Sequence, residues 1–158
     1  MKQYMNLILI VFFTVITVNA EEKAIYKNAD FSIKALYDAK KPHSEPLIMT
    51  LSKTDKFSQH VRVDIQEYKG SLKEYAGMSI LQFEKAKFKI LKSDLAKNAI
   101  VLEYTGITQG GITLHFYTKA CKKGNQMFVV TASATETQWK ETSKALIDCV
   151  ESFTLNKK

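Results

Sequence analysis

A chain of 158 residues with 46% hydrophobic residues and a formal net charge of +7 is sized for one domain with a full core. Arg62 is its only arginine, and its lysines are dispersed: Lys53 and Lys56, then Lys85, Lys87, Lys89 and Lys92, then Lys122, Lys123, Lys157 and Lys158. Nucleic-acid readers combine arginine with aromatics on a recognisable module, so that class is excluded, leaving a solvated basic surface with weak attraction for an anionic envelope surface or an acidic partner.

The start reads as an export signal. Met1–Asn6 carries a single Lys and no acid, Leu7–Val18 is an unbroken run of apolar residues and Thr, and Val18-Asn19-Ala20 places small residues at a cleavage site. The apolar run is shorter than the ~20 residues a spanning helix needs, so an anchor is the lesser reading. No Cys follows it, which argues against a lipid-anchored form. The expected division is a signal peptide over 1–20 and a single domain over 21–158, beginning at Glu21 with a net charge of +6 once Lys2 is removed. The expected destination is periplasmic or secreted.

In chain order, Ala24–Leu36 reads as one or two short strands, with turn formers at Asn28 and Asp30. Lys40–Pro46 is a polar loop holding both prolines, and Leu47–Leu51 is a further strand. Val61, Val63 and Ile65 alternate with Arg62, Asp64 and Gln66, a half-buried strand that Gly70 stops. Ser71-Leu72-Lys73-Glu74 is a capping box opening a helix with Leu72, Tyr75, Ala76, Ser79, Phe83 and Ala86 on one face and Met78 and Leu81 beside it. Gly77 weakens that helix by ~1 kcal/mol relative to Ala and suggests a close backbone approach. An antiparallel meander follows over Phe88–Ser93, Ala99–Thr105, Ile112–Cys121 and Gln126–Ala134, with turns at Asp94–Asn98, Gly106–Gly111 and Lys122–Asn125.

Thr135-Glu136-Thr137-Gln138 is a second capping box, and Trp139, Thr142, Leu146, Cys149, Val150 and Phe153 recur at helical spacing behind it. Trp139, Leu146 and Phe153 are expected in the core. A strand that feeds a helix returning across the same sheet marks an α+β fold. Two cysteines in an exported chain suggest one disulfide. A helix climbing ~1.5 Å per residue from Thr135 brings Cys149 back over Phe128 or Val129, on a strand that rises ~3.3 Å per residue. A hairpin centred on Gly124-Asn125 pairs Phe128 with Cys121. A Cys121–Cys149 bridge is therefore expected, and it depends on that register, because a one-residue slip turns Cys121 to the other face.

A search for chemistry finds no metalloprotease helix pair, nucleophile elbow, phosphate loop or dinucleotide fingerprint. Gly106–Gly111 precedes a strand and so reads as a hairpin loop. His115 and Cys121 lie about 20 Å apart on one strand at ~3.3 Å per residue, too far for a thiolate–imidazole dyad. His60 and Asp64 are about 13 Å apart by the same rise, too far to share a metal. His43 and His60, like His115, read as surface or half-buried residues, and no spacing singles out a pair among Asp64, Glu67, Glu84 and Glu103. No catalytic residue, metal or cofactor is expected. Binding loops are sought in Lys40–Pro46, Lys53–Gln59 and Gly106–Gly111.

The order of elements resembles the PsbP-like superfamily, which includes the photosystem II extrinsic PsbP subunit and the Mog-type Ran-binding protein. The resemblance runs from Phe31 to Leu155: the Val61–Glu67 strand, a helix opening on Ser71, Leu72 and Tyr75, four meander strands with a Tyr104-Thr105-Gly106 turn, and an aromatic-led helix closing on Ser152, Phe153 and Leu155. It implies an α/β/α sandwich, a central antiparallel sheet flanked by helices. For function it implies a non-catalytic binding or accessory role, here of an exported, monomeric envelope protein with a protein partner. A second reading is a small-molecule or lipid carrier with a cavity between helix and sheet lined by Phe83, Phe116, Phe128 and Trp139. A third, an envelope hydrolase, requires a pocket with two convergent titratable groups.

Overall fold

The computed structural model of the chain describes residues 25–36, 47–51, 57–108 and 110–157. The expected signal peptide, the Lys40–Pro46 loop with His43, and most of the Lys53–Gln59 loop lie outside them. Two antiparallel sheets and two helices make up the described fold. The smaller sheet has the order β1-β2-β9, with β1 at Ile25–Lys27, β2 at Phe31–Lys34 and β9 at Thr154–Leu155. The larger has the order β3-β4-β8-β7-β6-β5, built from β3 (Leu47–Thr50), β4 (His60–Glu67), β5 (Lys89–Leu95), β6 (Ala99–Ile107), β7 (Thr113–Lys123) and β8 (Gln126–Thr135). Helix α1 spans Leu72–Lys85 and α2 spans Glu136–Glu151. No helix among the described residues is long and apolar enough to cross a membrane.

Both capping boxes form. Ser71 N donates to Glu74 Oε2 at 2.7 Å while Glu74 N donates to Ser71 Oγ at 3.2 Å. Thr135 and Gln138 exchange the same pair of bonds at 3.0 and 3.3 Å. Each box satisfies two backbone donors that a helix start leaves without partners. At the far end of α1, Lys87 sits at φ 60°, the left-handed conformation that usually falls to glycine after a helix. Replacing Lys87 by Gly removes the Cβ crowding there, and is expected to stabilise the domain by about 0.5–1 kcal/mol. Urea unfolding checks this, and a lower midpoint for the variant contradicts it.

Strand alternation sorts the core into two clusters. Phe128, Val130, Ala132 and Ala134 of β8 join Trp139, Leu146, Cys149 and Val150 of α2, together with Phe31, Ile33 and Phe153 around the small sheet. The intervening Met127 and Val129 join Ile100, Leu102 and Tyr104 of β6 and the inner residues of α1. Trp139, Leu146 and Phe153 are buried as expected. The expected carrier cavity is corrected by this division. Phe83 and Phe116 belong to the α1 cluster and Phe128 and Trp139 to the α2 cluster, so the sheet separates the two pairs. The space under α1, lined by Tyr75, Ser79, Phe83, Tyr104, Thr118 and Thr131 among others, is about 60 Å³, room for a water or two rather than a ligand.

The hairpin register is the expected one: Cys121 stands opposite Phe128 across a turn in which Gly124 takes φ +58°. The expected bridge is nevertheless absent, and Cys121 and Cys149 are buried and not bonded to each other. The two thiols have different surroundings. Cys149 Sγ donates to the carbonyl of Lys34, the last residue of β2, at 3.1 Å. Cys121 lies in an open trough of about 640 Å³ shared with Thr154 and Leu155 of β9.

Candidate binding face

On the side of the large sheet that α2 packs against, the helix lies over β4, β8 and β7. The same side of β6 and β5 stays half-buried or exposed. Register builds the face row by row: Lys89 beside Thr105 beside His115; Lys92 beside Glu103 beside Tyr117; Asp94 beside Val101 beside Lys119. A bulge between Ile90 and Lys92 re-aims β5 so that Lys92 and Asp94 share this side. They form an ion pair of 3.0 Å, both about half exposed.

Two polar clusters anchor the face to α2. At one end, His115 is buried, with Nε2 2.8 Å from Glu103 Oε1 and Nδ1 3.1 Å from Glu136 Oε1. Its ring stacks on Trp139 with centroids 4.1 Å apart and planes 12° from parallel. Both carboxylate contacts are hydrogen bonds together only when both ring nitrogens carry hydrogen. The cluster ties the first turn of α2 to β6 and β7. At the other end, the Tyr117 hydroxyl donates to Glu151 Oε1 at 2.6 Å, and Lys119 Nζ donates to Glu151 Oε2 at 3.1 Å and to the Glu151 carbonyl at 3.0 Å. Lys119 thereby caps the last turn of α2, where carbonyls lack helical partners. Burial, then the Glu151 carboxylate, pushes the Tyr117 phenol well above its usual range. Burial pulls Glu151 upward, but the bonds from Tyr117 and Lys119 outweigh it and hold the carboxyl below its usual range.

The Tyr117 phenol is held neutral and its hydrogen is committed to Glu151. Burial pushes the Cys121 thiol up, which disfavours the thiolate that a nucleophile requires. Among the described residues no group of three His, Cys, Asp or Glu side chains is placed to hold a metal.

Of the residues weighed from sequence, His115 and Glu103 come together. His60 instead bonds through Nδ1 with the Ser58 carbonyl at 2.8 Å, and Asp64 pairs with Arg62 at 2.6 Å. Of the expected Gly106–Gly111 loop, Gly106 already lies inside β6, Thr108 N donates to the Ile112 carbonyl, Gly111 takes φ +75°, and Gln109 lies outside the described residues. From Lys53–Gln59, the described Phe57 carbonyl accepts from Gln138 Nε2 at 2.9 Å and Gln59 is buried, so this end of the loop is docked on α2. The pairing of Lys119 with Glu151 escaped sequence reasoning, because it joins a strand to the far end of a helix 32 residues on.

No protein-family model and no curated protein matches the sequence. Solved structures do match the fold. A Pseudomonas aeruginosa protein of unknown function, PA94, superposes with a TM-score of 0.61 at 11% identity, over 86% of this chain and 99% of that one. Cyanobacterial PsbP (CyanoP) from Synechocystis sp. PCC 6803 gives 0.59 at 11% identity, over 89% and 96%. LpqN of Mycobacterium tuberculosis, involved in cell envelope biogenesis, gives 0.51 at 14% identity, over 88% of each chain. The chain has a PsbP-like fold.

Proposed function

We propose that the chain is an exported, non-enzymatic accessory protein of the bacterial envelope that binds a protein partner through the β5–β6–β7 face beside α2. The observation that carries this reading is the face itself. Lys92, Asp94, Glu103, Lys119 and Glu151 are presented on strand and helix positions, three of them (Glu103, Lys119 and Glu151) held by the networks around His115 and Tyr117. Mixed charge held in register suits a polar protein surface, with pairing that sets orientation more than raw affinity. The layer arrangement is an α/β/α sandwich, supported by the alternate strand residues that join α1 in one cluster and α2 in the other. The envelope location draws on the signal-like start and on the fold shared with LpqN, a protein of envelope biogenesis. The carrier reading is set aside because the four aromatics expected to line its cavity fall in two separate clusters, Phe83 and Phe116 in one and Phe128 and Trp139 in the other.

In-cell crosslinking and affinity capture from the host's envelope fraction test the proposal. The chain is expected to retain one stoichiometric partner at low salt and to release it at moderate salt. A Lys92→Glu, Asp94→Lys pair, at exposed positions on the face, is expected to lose that partner while the fold persists. Retention by the reversed pair moves the site elsewhere, and an empty capture overturns the binding role.

A further inference from the structure

The outer face of α1 is self-complementary, and we infer that it docks against the same face of a second copy of this chain. The residues opposite buried Ala76 are Glu74, Met78, Leu81 and Lys85, all exposed, with Met78 at 44% and Leu81 at 58%. Their spacing of four, three and four places them on one narrow stripe, the spacing of a two-helix seam. An antiparallel pairing with its two-fold axis between Ser79 and Ile80 sets Met78 against Leu81 of the second copy, and Leu81 against its Met78. The same axis sets Glu74 against Lys85 of the second copy at both ends. Two apolar contacts at the centre and two opposite-charge contacts at the rim thus follow from one register. Neither Glu74 nor Lys85 has an ion pair with another side chain among the described residues; Glu74 Oε2 accepts from Ser71 N in the capping box, which leaves Oε1 to face a lysine of the second copy.

Gly77 supplies an independent observation. It sits in the middle of α1 beside this stripe, where glycine is unfavourable relative to alanine. A Cβ added there meets no atom within 4 Å, so no contact among the described residues requires the glycine. A second helix crossing the stripe does, because a residue without a Cβ lets the two backbones approach. With two apolar side chains per copy, the interface belongs with small, concentration-dependent contacts. The single-copy state expected from the sequence gives way to weak self-association.

Sedimentation equilibrium of the purified chain over a concentration series up to the millimolar range is the test. The chain is expected to pass from monomer to dimer and to dissociate more readily as salt rises. Leu81→Glu puts a carboxylate at the centre of the seam and is expected to weaken the dimer at least tenfold. Gly77→Ala is expected to weaken it several-fold while raising the melting temperature of the monomer, a combination that a purely structural role for Gly77 does not produce. A monomer at every concentration overturns the inference. So does a dimer that both variants leave intact, since it is then built on another surface.

Discussion

Gly106→Ala is expected to destabilise the domain by about 2–3 kcal/mol, the penalty of forcing a methyl group into a filled core. An added Cβ meets Cδ1, Cε1 and Cγ of Phe88 inside 3.0 Å. The half-buried ring is held by its neighbours. It stacks on Tyr104 and Phe116 with centroids 5.9 Å away in each case, and on Phe83 at 6.0 Å. Tyr104 in turn lies 4.2 Å from Phe83 and 4.9 Å from Phe116, with near-parallel planes throughout. Moving Phe88 therefore disturbs a four-ring block that joins α1 to the sheet. The test is a double-mutant cycle. Phe88→Ala alone opens a cavity and destabilises, but in its background Gly106→Ala should become nearly silent, an interaction of more than 1 kcal/mol between contacting residues. Strictly additive losses would sink the steric account.

That glycine illustrates what the sequence made legible and what it did not. The Tyr104-Thr105-Gly106 pattern was visible, and it reads naturally as a turn, since glycine most often marks one. In the structure it lies within β6, and glycine is there for a ring that arrives from the residue just past α1. The strands and helices were readable because alternation and capping boxes are local. The Cys121–Phe128 register was readable because a short turn fixes a hairpin. The unbonded state of the cysteines was not, because the spacing of α2 and its strand says nothing of β2, whose Lys34 carbonyl takes the Cys149 hydrogen. The His115 cluster was half legible. Glu103 and His115 were each weighed, but only the β6–β7 register, with Thr105 opposite His115, brings them to one side two residues apart. The third member, Glu136, enters from the helix cap, and no spacing within one strand announces it.

Lys119→Met is expected to destabilise by about 1.5–3 kcal/mol at neutral pH, the range for hydrogen bonds to charged groups. The ammonium is mostly buried, with 15% of its side chain exposed, and donates to Glu151 Oε2 as well as to the carbonyls of Glu151 and Phe153. A thioether of similar length keeps the packing and removes all three bonds, leaving the end of α2 uncapped. The effect carries a pH signature. Burial raises the Glu151 carboxyl, the Tyr117 hydroxyl and Lys119 lower it more, and the net shift is downward. A carboxyl lowered on folding contributes stability that is fully present above its unfolded value, about 4.3. That contribution is lost as pH falls through the folded value. Without Lys119 the downward shift shrinks, so the gap between parent and variant is widest near neutrality and narrows as pH falls and Glu151 takes up its proton. Urea unfolding at pH 7 and pH 3 measures the two gaps. Tyr117→Phe, which removes the other donor to the same carboxylate, should move the acid limb in the same direction. An equal gap at both pH values would mean that Lys119 acts through the carbonyls it caps, and that the Glu151 charge contributes nothing to holding α2 against β7.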